Sequence, residues 1–174
     1  MSAMAQRSNG WATSPRSVGT LIAVLVRYPE VSSLDFVPGD GLLTLSFCLR
    51  TELTPATFQA LRDRLHEALE TYRALIRAPE PIHCEFSQDS MQSVAILTLT
   101  RDIETLTVEE VGMVIEILRD EFGQDLVADP NELAEDEMLA QEETIQATLE
   151  SLQESPGARL FALRDEGRVF VFNT

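Results

Sequence analysis

One order of patterns occurs twice in this chain, and nothing else in the sequence limits the fold as strongly. Ser32 to Arg50, "SSLDFVPGDGLLTLSFCLR", is two runs of period two around the turn residues Pro38-Gly39-Asp40-Gly41, the signature of a β-hairpin. In its second run Leu43, Leu45, Phe47 and Leu49 share one face, and Thr44, Ser46, Cys48 and Arg50 the other. A helix is predicted next. Thr54 is placed to cap it, Pro55 takes its first position, and Phe58, Leu61, Leu65, Leu69, Tyr72 and Ile76 trace its apolar stripe. The order then returns: Pro81 to Arg101, "PIHCEFSQDSMQSVAILTLTR", predicts a second hairpin, and Thr107 to Gly123 a second helix with a Thr107–Glu110 capping box and a glycine stop. Phe36 and Phe86 match at an offset of 50, and Thr54 and Thr107 at 53. The pattern reads as a diverged duplication of a ββα unit, with halves at 32–78 and 81–123.

Ser17 to Tyr28 is read as a helix ahead of these units, and "RYPEVSSLDF", Arg27 to Phe36, resembles the helix exit and first strand of ferredoxin-like modules. The resemblance is one of fold pattern over about thirty residues and implies no activity. After the repeats, Asp129-Pro130 predicts the start of an acidic helix over 130–154, which Ser155-Pro156-Gly157 ends. A third hairpin closes the chain over 158–173. With Glu166-Gly167 as its turn, Leu163 faces Phe170 and Phe161 faces Phe172. Met1 to Pro15 has no periodicity and is expected to be a disordered tail, Trp11 included, leaving one domain over 16–174. The expected class is α+β: a largely antiparallel six-stranded sheet built from hairpins, order α-ββα-ββα-α-ββ, loosely ferredoxin-like.

Charge is very uneven along the chain. Residues 102 to 156 hold seventeen acidic side chains against Arg119 alone, and the remainder is neutral with twelve of each sign, so the net charge of −16 belongs to one third of the protein. Such a field repels nucleic acid and anionic membrane, so direct binding to either is not expected. The longest early apolar run, Leu21 to Val26, is too short to span a bilayer and lacks the features of a signal peptide; a cytoplasmic protein is expected.

Chemistry-bearing motifs are sparse. The chain has no lysine, which excludes Schiff-base chemistry and a phosphate-loop lysine. It contains neither a Gly-x-Ser-x-Gly elbow nor a Gly-x-Gly-x-x-Gly run. Cys48 and Cys84 lie in apolar strand-like runs and are read as buried free thiols. His66 and His83 are the only histidines, and a Cys84 nucleophile served by either is the one enzymatic arrangement the sequence offers. Arg50 and Arg101, each ending the second strand of a putative repeat, are candidates for an anion clamp, unless Glu52 and Asp102 pair with them. Glu135, Asp136, Glu137, Glu142 and Glu143 supply oxygens for a cation, but a continuous helix splays them, so only nonspecific divalent binding is expected and no cofactor is predicted.

Surface features carry the functional expectation. Val94, Ile96, Ala162, Val169 and Val171, with Thr44, Ser46, Cys48 and Thr98, are expected to form a half-apolar second sheet face, covered by the acidic helix or by another copy. In the acidic helix Leu133, Met138, Ile145, Leu149 and Leu152 supply the burial, with Met138, Ile145 and Leu152 spaced by sevens as a docking seam, while Glu135, Asp136, Glu142 and Glu143 present a solvated face or contact surface. A twofold dimer centred on Val94, Ile96, Val169 or Val171 is expected. The leading expectation is a non-catalytic interaction or regulatory protein working through self-association or a protein partner. The alternatives are an acidic mimic that occupies a nucleic-acid-binding protein, and a small-molecule binder or enzyme with an unrecognised site.

Overall fold

In the computed structural model the residues described are 23–37, 39–91, 93–128, 160–165 and 168–173. Helical residues 23–27 (α1) precede strands β1 (Val31–Val37) and β2 (Leu42–Leu49), helix α2 (Pro55–Ile76), strands β3 (Cys84–Met91) and β4 (Val94–Asp102), and helix α3 (Val108–Phe122). A 3-10 turn at Gly123–Asp125 follows, then β5 (Leu160–Asp165) and β6 (Arg168–Asn173). The protein is α+β, with one antiparallel sheet in the order β3-β4-β2-β1-β5-β6.

Local chemistry sets the helix ends. Thr54 stays extended and its hydroxyl accepts from Thr57 N, with Pro55 at the first position, where a missing N–H costs nothing. Thr107 does the same for Glu110 N at the head of α3. Gly123 ends α3 at a φ of 56°, a backbone region open chiefly to glycine. Arg77 ends α2 in the left-handed conformation, its N–H directed at the carbonyls of Ala74 and Arg73.

Because β2 and β3 are both antiparallel to β4, they run parallel with β4 between them, so β2-α2-β3 is a split β-α-β unit of the ferredoxin-like kind. The centre of the sheet is symmetric in register. Phe47 pairs with Leu97, and an offset of 50 exchanges the flanking pairs Leu45–Leu99 and Leu49–Ala95. Strand-to-helix links are equal as well, five residues at 50–54 and five at 103–107. Phe36 and Phe86 do not share this symmetry: Phe36 pairs with Leu43, whose counterpart at that offset is Ser93, whereas Phe86 pairs with Leu99. After α3, Leu126 bridges Leu49 and Val127 N donates to Cys48 O, so the chain takes the place beside β2 that β1 leaves beyond Val31.

One face of the sheet makes the core. Leu34, Phe36, Leu45, Phe47, Leu97 and Leu99 are buried against Val24 and Leu25 of α1, Leu61, Leu65 and Leu69 of α2, and Val111, Val114, Ile115 and Leu118 of α3. Two expectations change here. The α2 stripe runs Leu61, Leu65, Leu69 and then Arg73, a strict spacing of four, while Ile76 is 51% exposed. The capping box forms only by half, because the Glu110 carboxylate turns inward to arginines.

Candidate functional site

Two regions collect the residues that bear on function: a buried ionic cluster at one end of the sheet, and the sheet face opposite the core. The cluster grows from Arg101, the last inward residue of β4, which is fully buried. Its Nε donates to Glu110 Oε2 at 2.5 Å and its Nη2 to Glu110 Oε1 at 3.0 Å, a bidentate pair across the sheet-to-helix boundary. Its Nη1 reaches Asp102 Oδ1, Thr105 Oγ1 and the His83 carbonyl. From α2, Arg73 Nη2 stands 3.1 Å from Glu110 Oε2, so one glutamate balances two buried arginines. Asp102 accepts from the backbone N–H groups of Ile82, His83 and Thr105, which fixes both the entry to β3 and the link to α3.

Protonation follows from these contacts. Burial works against the Asp102 charge, yet the Thr105 hydroxyl, the His83 and Thr105 amides and the Arg101 charge together hold its carboxyl below the usual range. Burial likewise opposes the Arg101 charge, and the Glu110 and Asp102 carboxylates outweigh it, raising its pKa further. Burial pushes the Cys84 thiol up, against the opposing pull of Arg101 and Arg73, so it stays protonated at neutral pH. His83 stands 3.5 Å from Glu85, and the His66 ring packs edge-on against Phe86 with centroids 5.3 Å apart.

The anion clamp does not form. β2 and β4 are antiparallel, so Arg50 and Arg101 lie at opposite ends of the sheet; Arg50 is exposed and donates to the Gln124 carbonyl, while Arg101 is consumed by Glu110 and Asp102. Cys48 and Cys84 are both free, half-buried thiols, on opposite faces. Among the described residues no three His, Cys, Asp or Glu side chains are placed to hold a metal ion, and no helix is long and apolar enough to cross a membrane.

The second face differs from the expected one in a way that pairing explains. Val94, Ile96, Thr44, Ser46, Cys48 and Thr98 share it. Ala162, Val169 and Val171 do not: Ala162 pairs with buried Leu34 and with Val171, and Val169 and Val171 pack against the core on the helix side. Phe161, Leu163, Phe170 and Phe172 take the second face instead, in the predicted register of Leu163 with Phe170 and Phe161 with Phe172. Hydroxyls at the centre of this face bond mainly to one another, Ser87 with Thr98 at 2.5 Å and Thr44 with Thr100 at 3.1 Å. The face thus grades from hydroxyls at its centre to aromatic rings over β5 and β6. The described helices all contribute to the opposite face.

Met138, Ile145, Leu149, Leu152, Glu135, Asp136, Glu142 and Glu143 lie outside the described residues, as do Trp11 and the Asp129-Pro130 start signal. The Arg101–Glu110–Arg73 cluster went unpredicted, although period two places Arg101 on the inward face with Ala95, Leu97 and Leu99. Comparison with known proteins gives no match to a family model, a curated protein or a solved structure.

Proposed function

We propose that this chain is a non-catalytic interaction or regulatory protein, acting through contact with a second copy of itself or with another protein. The second sheet face carries this reading. Phe161, Leu163, Phe170 and Phe172 put four large, half-buried apolar side chains on one corner of it, where a solvated face would carry polar residues, and an apolar cluster so placed favours association. The ionic cluster supports it from the other side, since Arg101, Asp102 and Glu110 are spent on one another and Cys84 is held as a thiol. The two unbridged cysteines favour a reducing, cytoplasmic setting, and the symmetric centre of the sheet favours an internal duplication. Phe161→Asp is the test. Wild type should form a larger species as concentration rises, or capture a protein partner, and the variant should lose that association while its far-ultraviolet circular dichroism stays unchanged. Unaltered association would remove the face from consideration. The second reading is an acidic mimic of a phosphate backbone, favoured by the location of the whole net charge within residues 102 to 156. It requires a basic partner whose binding weakens steeply with salt.

A further inference from the structure

The sheet has two edges of opposite character. β3, at one side, carries the exposed charges Glu85 and Asp89 along its length, which discourage another strand from adding. β6, at the other, begins at Arg168 and then runs Val169-Phe170-Val171-Phe172 with no further charge, proline or glycine, and among the described residues it pairs with β5 alone. We infer that β6 is the edge to which a second copy of this chain adds, strand against strand about a twofold axis; this rests on the self-association reading above and names its seam.

Ladder parity identifies the groups that would bond. Asp165 pairs with Arg168 with two residues between them in the sequence, and the innermost pair of a hairpin with that spacing is hydrogen-bonded. Residues 168, 170 and 172 therefore bond toward β5, and the N–H and C=O groups of Val169, Val171 and Asn173 point away from the sheet. An independent contact checks this parity. Carried through the printed registers of β5, β1 and β2, it turns the Cys48 carbonyl toward the β1 side, where Val127 N lies 2.9 Å away.

An outward-bonding residue must meet another outward-bonding residue. Centring the twofold on Val171 sets Val171 opposite itself and Val169 opposite Asn173 of the second copy, three reciprocal pairs that use every outward group of the strand. The same register brings Phe170 against Phe172 of the second copy, so the aromatic corner of the second face continues across the seam. Charge permits the approach. Residues 160–173 contain Arg164, Arg168, Asp165 and Glu166 and are neutral, whereas the net −16 sits in residues 102 to 156.

Amide hydrogen exchange on the full chain, at low and high protein concentration, tests the seam without a substitution. The amides of Val169 and Val171 should gain protection as concentration rises, while those of Phe170 and Phe172, bonded to β5, stay protected throughout. Val171→Pro removes an N–H that faces away from β5, so the hairpin keeps its ladder; the dimer should weaken by about tenfold or more, the effect of losing two backbone hydrogen bonds. Asn173→Pro is the milder second variant. A strict monomer at every concentration overturns the inference. So does a dimer of full strength in both folded proline variants, and Phe161→Asp then shows separately whether the second face still mediates it. If neither proline variant folds, unchanged exchange at Val169 and Val171 in the wild type overturns it alone.

Discussion

Arg101 and Arg50 stand at the ends of the two central strands, after links of equal length and beside helices capped in the same way, yet one is sealed in the protein and the other lies in water. What separates them is which helix ends converge there. At the Arg101 end the last turn of α2 brings Arg73 and the first turn of α3 brings Glu110, so three charged side chains meet there. At the Arg50 end the chain leaving α3 closes the sheet with backbone groups, Arg50 N to the Asp125 carbonyl and Val127 N to the Cys48 carbonyl, and the arginine side chain is left outside. Matching local sequence thus produces an ionic lock at one end and a backbone closure at the other.

Substitution should separate the two ends widely. Arg101→Ala leaves Glu110 buried with only Arg73 for a partner, and loss of one member of a buried pair costs about 3–5 kcal/mol; urea denaturation should show that loss, and a value under about 1 kcal/mol would mean that water enters this end. Asp102 ranks next. Its folded-state carboxyl ionises more readily than the unfolded one, so its contribution is complete above the unfolded value near about 3.9 and disappears as pH falls through the lower folded value. Asp102→Asn should cost about 1–3 kcal/mol at neutral pH and flatten the acid limb of stability against pH.

Smaller effects sharpen the same contrast. Thr54→Ala and Thr107→Ala each remove a helix cap and should each cost about 1 kcal/mol in thermal unfolding. A clear excess at Thr107 would show that its cap also positions Glu110 for Arg101. Arg50→Ala, at the exposed end, should stay within about 0.5 kcal/mol of wild type.

Strands and caps were legible in the sequence because period two, turn residues and capping residues are local signals, and the register of the last hairpin follows from its two-residue turn. The face that each strand of this hairpin presents was not legible. Phe161 and Leu163 alternate with Leu160 and Ala162, and Val169 and Val171 with Phe170 and Phe172, so both sides are apolar and only the partner strand decides. Leu34 opposite Ala162 turns Leu160 and Ala162 inward and the rings outward. The ionic cluster was hidden for another reason. Glu110 had an adequate local explanation as a capping residue and Arg101 as a strand end, Arg73 carried no signal of its own, and only the meeting of α2, α3 and β4 joins them.

The symmetric pair at the middle of the sheet also bears on how fast the chain reaches this arrangement. Val37 and Leu42 close the first hairpin across 5 positions, but Phe47 and Leu97 meet across 50. A tenfold longer loop adds about 2 kcal/mol of closure entropy before any contact is made. Each hairpin can therefore form before the two meet, and substitutions along the apolar seam of Leu45, Phe47, Leu49, Ala95, Leu97 and Leu99 are expected to slow folding in stopped-flow measurements. Substitutions in the lock around Arg101, which needs both helices in place, are expected instead to speed unfolding with little effect on the folding rate.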